Sequence, residues 1–375
     1  MSLADAFIGG AVSGAARAIP APISLLVQGQ RYEGWKSARI TRSIEAIAGS
    51  FELSVSERWA NRNTNWPIHE GNQCKILAYD KPVITGYVDS IKSGFSTTDA
   101  GISVAGRDAA AQLVDCSAII GGWQLSNIAL DALAKKLCAP FGIVVKLAPD
   151  LIGKVPIVRQ LAFGVGETGF DVLDSACRQV GVLAINDGNG EITLCHPGED
   201  HAVTPLVQGQ NLLSAEATFS VASRFAKYRV MGQGGGYEEI GGYSTAHVVA
   251  EATDPNVTNQ NRVLIVHAED ALDQSAAKKR AQWEASIRAA RSASVAVSVQ
   301  GWQQENGDLW EPNLTVRVEI PRCRVMGEMV ISEVTYIFED GEGTRVNMQL
   351  KRPDAFTPAP VVTKDGTYRE LKGGV

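Results

Sequence analysis

The chain has 375 residues, of which 45% are hydrophobic and 20% charged, and a formal net charge of -6 at pH 7. That is enough apolar material for the cores of about two to four domains, and the acidic balance gives no electrostatic reason to expect a nucleic-acid surface over the whole protein. No apolar run reaches the roughly 18 residues of a membrane-spanning helix.

Taken in chain order, residues 1–22 are small and apolar but carry Asp5, Arg17, Pro20 and Pro22 and lack a basic start. They read as an arm that packs on a partner or stays mobile, rather than as a signal peptide. Residues 23–116 are almost all strand: ISLLV, WKSARITRSI, FELSV, CKILAY, VITGYVDSI and ISVAG alternate apolar and polar side chains. Gly71-Asn72 and Asp80-Lys81-Pro82 supply turns between them, so this region is expected to form a small antiparallel β-barrel domain. The polar link from Ser56 to Gly71, with Trp59 and Trp66, reads as a rim or interface loop.

Residues 117–205 form a mixed α/β domain. ALDALAKKLCAPFGIVV and FDVLDSACRQVGVLAI both read as an amphipathic helix, a stop and a buried strand. Pro140 terminates the first helix and Gly181 the second, and Asp187-Gly188-Asn189-Gly190 turns the chain back into EITLC. Residues 206–232 and 294–352 restart strict alternation (Val295, Val297, Val299; Leu314, Val316, Val318, Ile320) and are expected to form a second β-barrel domain. Residues 233–293 are an inserted segment with a long helix from about Glu269 to Arg291, and residues 353–375 are an extended tail. The fold class is therefore β-rich α+β, with two small antiparallel β-barrel domains plus mixed α/β domains.

Several local patterns have to be weighed as chemistry. Gly164-Val165-Gly166-Glu167-Thr168-Gly169 is a literal GxGxxG that opens a helix and leads to a strand ending at Asp187, the outline of a dinucleotide site. Against it, Glu167 puts a negative charge where phosphates need donors, Thr168 with Asp171 suits a helix cap, and no further βαβ units follow. Cys195, His196, Glu199, Asp200 and His201 cluster around Pro197-Gly198, yet their spacing matches no common zinc pattern and a polar loop explains them. His69, His247 and His267 have no nucleophile context, and the chain has neither GxSxG nor HExxH. GQGGGY at 232–237 lacks the Lys-Ser/Thr of a phosphate loop. Six cysteines (Cys74, Cys116, Cys138, Cys177, Cys195, Cys323) with no CxxC pair read as reduced thiols and point to assembly in a cytoplasm. Lys278-Lys279-Arg280, Arg288 and Arg291 make the long helix basic, which fits a solvated face or contact with an acidic neighbour or nucleic acid. No catalytic, cofactor or metal residue is assigned, and nothing argues for an enzyme.

The order of residues from Thr85 to Val145 carries a family likeness: TGYVDSIKS, ISVAGRDAAAQLVDC, then NIALDALAKKLCAPFGIVV. With Gly34-Trp35, Thr41-Arg42-Ser43-Ile44-Glu45 and Phe51-Glu52-Leu53 before it, the chain resembles the baseplate hub proteins of Mu-like phages and prophages. Gly301-Trp302, Leu309-Trp310, Pro312-Asn313, ISEVTYIF, Gly343-Thr344 and Arg352-Pro353 through Phe356 extend that resemblance over roughly residues 23 to 356. It implies a structural virion protein of a contractile tail: a homotrimeric ring joining the six-fold tail tube to the three-fold central spike, contacting other baseplate proteins, and letting DNA pass. A hub of a tail-like bacteriocin or another contractile injection system is the near alternative. A dinucleotide-binding enzyme using Gly164–Gly169 and a carbohydrate- or envelope-binding module using exposed tryptophans are the alternatives from other classes.

Overall fold

In the computed structural model, residues 22–56, 68–95, 100–233, 247–267, 274–357, 361–362 and 368–369 are described. The expected N-terminal arm, Trp59, Trp66, most of the Gly-rich segment after Gly232 and most of the C-terminal tail lie outside them. The first region contains β1 (Ile23–Val27), β2 (Gln30–Tyr32), β3 (Ser37–Ser43), β4 (Ser50–Ser56), β5 (Gln73–Ala78), β6 (Lys81–Phe95) and β7 (Ala100–Asp108). Strict alternation decides which side chains go inside: Ile23, Leu25 and Val27 of β1, Leu53 and Val55 of β4, and Ile76 of β5 are all buried.

The middle region follows with α1 (Ala111–Asp115), β8 (Gln124–Ala129), α2 (Leu130–Cys138), β9 (Val145–Leu147), β10 (Ile157–Ala162), α3 (Gly169–Val180), β11 (Leu183–Asn186) and β12 (Ile192–Cys195). On α2, Leu130, Leu133, Ala134 and Leu137 form the buried stripe, and Val172, Leu173, Ala176 and Cys177 do so on α3. Together they build a second core with Val158, Leu161, Ile192 and Leu194. Gly181 ends α3 in the left-handed conformation, φ 72°.

The rest of the chain gives β13 (Asp200–His201), β14 (Leu206–Val207), β15 (Leu212–Phe219), β16 (Lys227–Gln233), β17 (His247–Thr253), β18 (Val263–His267), α4 (Gln274–Arg291), β19 (Ala293–Gln300), β20 (Leu314–Ile320), β21 (Val325–Glu339) and β22 (Gly343–Lys351). One fourteen-stranded sheet runs β15-β19-β22-β21-β3-β4-β7-β6-β5-β1-β2, with β20 beside β21 and the short β13 and β14 parallel to β20.

Two features differ from the sequence expectation. The β-rich α+β class holds, but the two β regions share one sheet and one core, and no cycle of strand pairing closes among the described strands. The reason lies in β21: its first half pairs with β20, and after a bulge at Ile331/Glu333 its second half takes the free edge of β3. The second difference is β16, expected beside 294–352. It pairs instead with β17 and β18 in a separate sheet, where Val230 and Ala250 pack on Ala276, Ala277 and Ala281 of α4. Small residues on one helix face let that helix lie close on the strands, and alternation along β16 alone cannot say which sheet it joins.

Candidate functional site

The largest regularity in the chain is a repeat of five strands. In the first β region the pairing order is β3-β4-β7-β6-β5, and in the second it is β15-β19-β22-β21-β20. The resemblance reaches register. β6 and β21 are both 15-residue strands, each bulged against the strand that follows, between Val88 and Ser90 and between Ile331 and Glu333. Phe51, Leu53 and Val55 of β4 occupy the places of Val295, Val297 and Val299 of β19, and all six are buried. Ser37-Ala38-Arg39-Ile40-Thr41-Arg42-Ser43 aligns through β4 and β19 with Ser214-Ala215-Glu216-Ala217-Thr218-Phe219-Ser220. Ser, Ala, Thr and Ser coincide at the first, second, fifth and seventh positions.

The two units meet along the β21–β3 seam, from Glu333 opposite Ser43 to Glu339 opposite Ser37. On its outer face the hydroxyls of Thr41 and Thr335 are 3.2 Å apart. On its inner face Ile40, Val334 and Tyr336 are fully buried, and the Tyr336 hydroxyl donates to the Trp310 carbonyl. Trp302 closes the joint. Its ring meets Tyr79 of the first unit and Tyr336 of the second edge-on, both at 5.7 Å, and its indole N–H donates to the carbonyls of Ile337 and Arg345 at 3.1 Å. Lys81 adds a surface contact to Asp308 at 2.9 Å.

The middle region is fixed to this seam by Arg42, which is 2% exposed. Its Nε donates to Asn186 Oδ1 at 3.1 Å and its Nη2 to the Asn186 carbonyl at 2.9 Å, while Asn186 Nδ2 donates to the Ile47 carbonyl at 2.7 Å. Glu311 lies 3.7 Å from Arg42 Nη1 and supplies the counter-charge. Nearby Asp108 accepts from the amides of Gly49 and Ala110. Burial pushes its carboxyl up to about 7, against the opposing pull of those amides and of Arg42. Gly188 packs so closely on β6 that a Cβ there would lie 2.9 Å from the Val83 carbonyl oxygen.

The sequence-derived candidates separate cleanly from this joint. In Gly164–Gly169, Glu167 accepts from the Gly164 amide at 2.8 Å, and Thr168 and Asp171 form a reciprocal capping box, so carboxylates occupy the donors a phosphate would need. The strand after α3 turns into an antiparallel pair with β12. Around Pro197-Gly198, His196 Nδ1 meets Asp150 Oδ2, and Glu199 stands within 4.8 Å of that pair. Asp200 and His201 belong to β13 beside β20, and Cys195 is buried. This loop ties the middle region to the second unit: the Gly198 amide donates to Asn313 Oδ1 at 2.9 Å, and Thr315 Oγ1 donates to the Gly198 carbonyl at 2.7 Å.

Burial pushes the thiols of Cys74, Cys138 and Cys195 up to about 12, away from reactive thiolate. The basic helix is partly spent within the chain: Glu284, buried on α4, bonds both Arg280 and Arg288 at 3.1 Å, and Arg291 Nε donates to the Ala355 carbonyl at 3.2 Å. Trp35, Trp302 and Trp310 are core residues, whereas Trp123 is half exposed. An open depression of about 540 Å³ lies where β3, β4, β7 and β6 run side by side, with Lys36, Lys92 and the hydroxyls of Ser37, Ser54 and Ser103 around it.

Comparison with known proteins covers most of this architecture. Residues 22–108 match the N-terminal domain of the Mu phage baseplate assembly protein GpP-like model. Residues 110–196 match the second domain of the baseplate hub protein gp44-like model, and residues 273–359 the fourth domain of Mu phage baseplate assembly protein GpP. Baseplate hub protein gp44 of Escherichia phage Mu is 31% identical over 359 residues, covering 94% of this chain and 92% of that protein. The 43 kDa tail protein of prophage MuSo2 from Shewanella oneidensis superposes with a TM-score of 0.78 at 31% identity, covering 90% of this chain and 99% of that one. A tail protein from Neisseria meningitidis shares the fold, with a TM-score of 0.74 at 22% identity over 90% of this chain and 98% of that one.

Proposed function

The chain belongs to the Mu-like family of phage baseplate hub proteins, and from that premise we propose that it works as a homotrimeric ring at the centre of a contractile tail. Each chain contributes two similar β units, read as half-closed barrels, so three chains set six such units around an axis. A ring with three identical chains and six near-equivalent units can face a six-fold tail tube on one side and a three-fold spike on the other. The observation that carries this reading is the repeated five-strand order within one chain. The units divide as 23–116 and 206–219 with 294–352, around a mixed domain at 117–205 and an insertion that begins with β16 and ends with α4.

The work is mechanical. Spike and tube bind through the repeated faces, and DNA passes through the opening after the spike departs. The buried joint of Trp302, Arg42 and Asn186 makes each chain a stiff segment, which a ring under contraction load requires. Assembly takes place in the host cytoplasm before the particle leaves. Negative-stain images of the purified protein test this: class averages are expected to show a ring with a central opening, and compact particles without one would contradict it. Incubation with the cognate spike protein is expected to fill that opening.

A further inference from the structure

β9 and β12 run parallel, with Val145 opposite Ile192 and Leu147 opposite Leu194. Parallel neighbours deliver the segments that follow them to the same end of the sheet. The turn after β9 carries Asp150, and the loop after β12 carries His196 and Glu199. Asp150 and His196, 46 positions apart in the chain, meet directly through Oδ2 and Nδ1. The carboxylate of Glu199 stands within 4.8 Å of both.

The backbone around these side chains is held before any ligand arrives. Asn313 Nδ2 donates to the His196 carbonyl at 3.2 Å, Asn313 Oδ1 accepts from the Gly198 amide at 2.9 Å, and Thr315 Oγ1 donates to the Gly198 carbonyl at 2.7 Å. Gly198 has φ +70°, and a Cβ there would lie 2.8 Å from both Thr315 Oγ1 and Val330 Cγ2, so the loop follows the one course that glycine allows. On the other side, the Ala148 amide donates to the Leu194 carbonyl at 2.9 Å and the Leu151 amide to the Ala148 carbonyl at 3.0 Å. Donors carried on backbone fixed in this way are preorganised.

The charge around the imidazole is one-sided. Asp150, Asp200 and Glu199 all push the neighbouring Cys195 thiol in the direction that burial does, upward. Elsewhere in the chain, carboxylates that gather share a cation: Arg107 stands between Asp89 and Asp115, and Lys146 between Asp187 and Glu191. Here, among the described residues, no lysine or arginine pairs with Asp150, Glu199 or Asp200, and His196 is the partner of Asp150.

We propose that Asp150, His196 and Glu199 bind a divalent transition-metal ion, zinc by preference. One imidazole nitrogen with two carboxylate oxygens suits zinc better than magnesium or calcium, which take oxygen donors. Three protein donors leave a fourth tetrahedral position to water, on the side of the exposed Glu199. Donors of an ion bonded at about 2.0–2.2 Å stand roughly 3.3–3.6 Å from one another, so the ion parts the Asp150–His196 contact and draws Glu199 inward. Once bound, it ties the turn after β9 to a loop already clamped by Asn313 and Thr315, and so stiffens the attachment of the middle region to the second unit. Cys195 and His201 stay outside the set, and Asp150 enters it from a distant turn, which is why the spacing of 195–201 alone matches no zinc pattern. The site belongs to the single chain and does not depend on how chains assemble.

The test is calorimetric titration of the metal-stripped full chain with zinc chloride, which is expected to show one ion per chain. Glu199→Gln changes an exposed side chain and keeps its size, and is expected to weaken binding at least about tenfold, since removing a direct donor costs no less than an outer-shell change. His196→Gln is expected to do the same. Cys116→Ser with Cys323→Ser removes the two half-buried thiols and is expected to leave the titration unchanged. X-ray absorption at the zinc edge is expected to show nitrogen and oxygen donors at about 2.0–2.2 Å and no sulfur at about 2.3 Å. Zinc is also expected to raise the unfolding temperature of the unmodified chain, and not that of Glu199→Gln. An unmodified chain that takes up no zinc, binding that survives both donor variants, or sulfur in the first shell overturns the proposal.

Discussion

β3 and β15 are the same strand used twice, and their fates differ. In the aligned windows 37–43 and 214–220 both hold Ser-Ala first and a Thr at the fifth position, and both strands pair with a buried, Val- or Leu-rich neighbour. β3 has partners on both edges and its Ile40 and Arg42 are buried; among the described strands β15 has one partner, and Phe219 is half exposed. The difference teaches that side-chain alternation commits a strand to a face, while the choice of edge partner is made elsewhere in the chain. At the closed seam, that choice is secured by Trp302 and by the Arg42–Asn186 contact.

This contrast can be broken most severely at Trp302. Trp302→Ala removes a fully buried indole that touches both units, and is expected to cost about 3–5 kcal/mol in urea unfolding. Ile40→Ala strikes the closed seam itself and is expected to cost roughly 2–5 kcal/mol by the same measurement. Arg42→Met leaves Asn186 without its buried donors, for an expected loss of about 1–3 kcal/mol. On β15, Phe219→Ser is expected to change monomer unfolding by no more than about 0.5 kcal/mol, as an exposed substitution does. Equal losses at Ile40 and Phe219 in the isolated chain would erase the distinction between the two strands.

Asp108 sharpens the comparison through pH. Its carboxyl titrates near 3.8 in ordinary surroundings and at about 7 in the fold. The folded chain therefore binds more protons than the unfolded chain between those values, so this group's stabilisation is complete below about pH 4 and is lost as pH rises to about 7. Asp108→Asn is expected to flatten that part of the stability profile. The corresponding place in the second unit, one residue beyond the end of β22, is Arg352, which is exposed and paired with Asp354; Arg352→Gln is expected to leave the profile unchanged.

Much of the local structure was legible in the residues. Pro140 and Gly181 stop their helices, Thr168 and Asp171 cap α3, Asp187–Gly190 turns a hairpin, and the Val295–Val299 alternation marks β19. Those signals act within a few residues. What was not legible is pairing across long separations. Nothing near Ser37–Ser43 says that β21 will take its open edge, so two separate barrels were expected where one sheet exists. Tyr228 and Val230 alternate as well for one sheet as another, so alternation alone does not lead to β17 and β18 as the neighbours of β16. Arg42 stands out in the sequence only within a family-like run, because an arginine on an alternating strand looks solvent-facing until Asn186 bonds it and Glu311 brings a counter-charge from other regions. The seven-residue echo of SARITRS in SAEATFS was present in the sequence as a signal for the repeat, and it becomes persuasive once strand register aligns the two.

Native mass spectrometry of the full chain across a dilution series tests the central claim most directly. One chain weighs 40.0 kDa, and a ring of three is expected near ~120 kDa, persisting on dilution. A monomer at every concentration, or a two-fold symmetric dimer, would contradict the account.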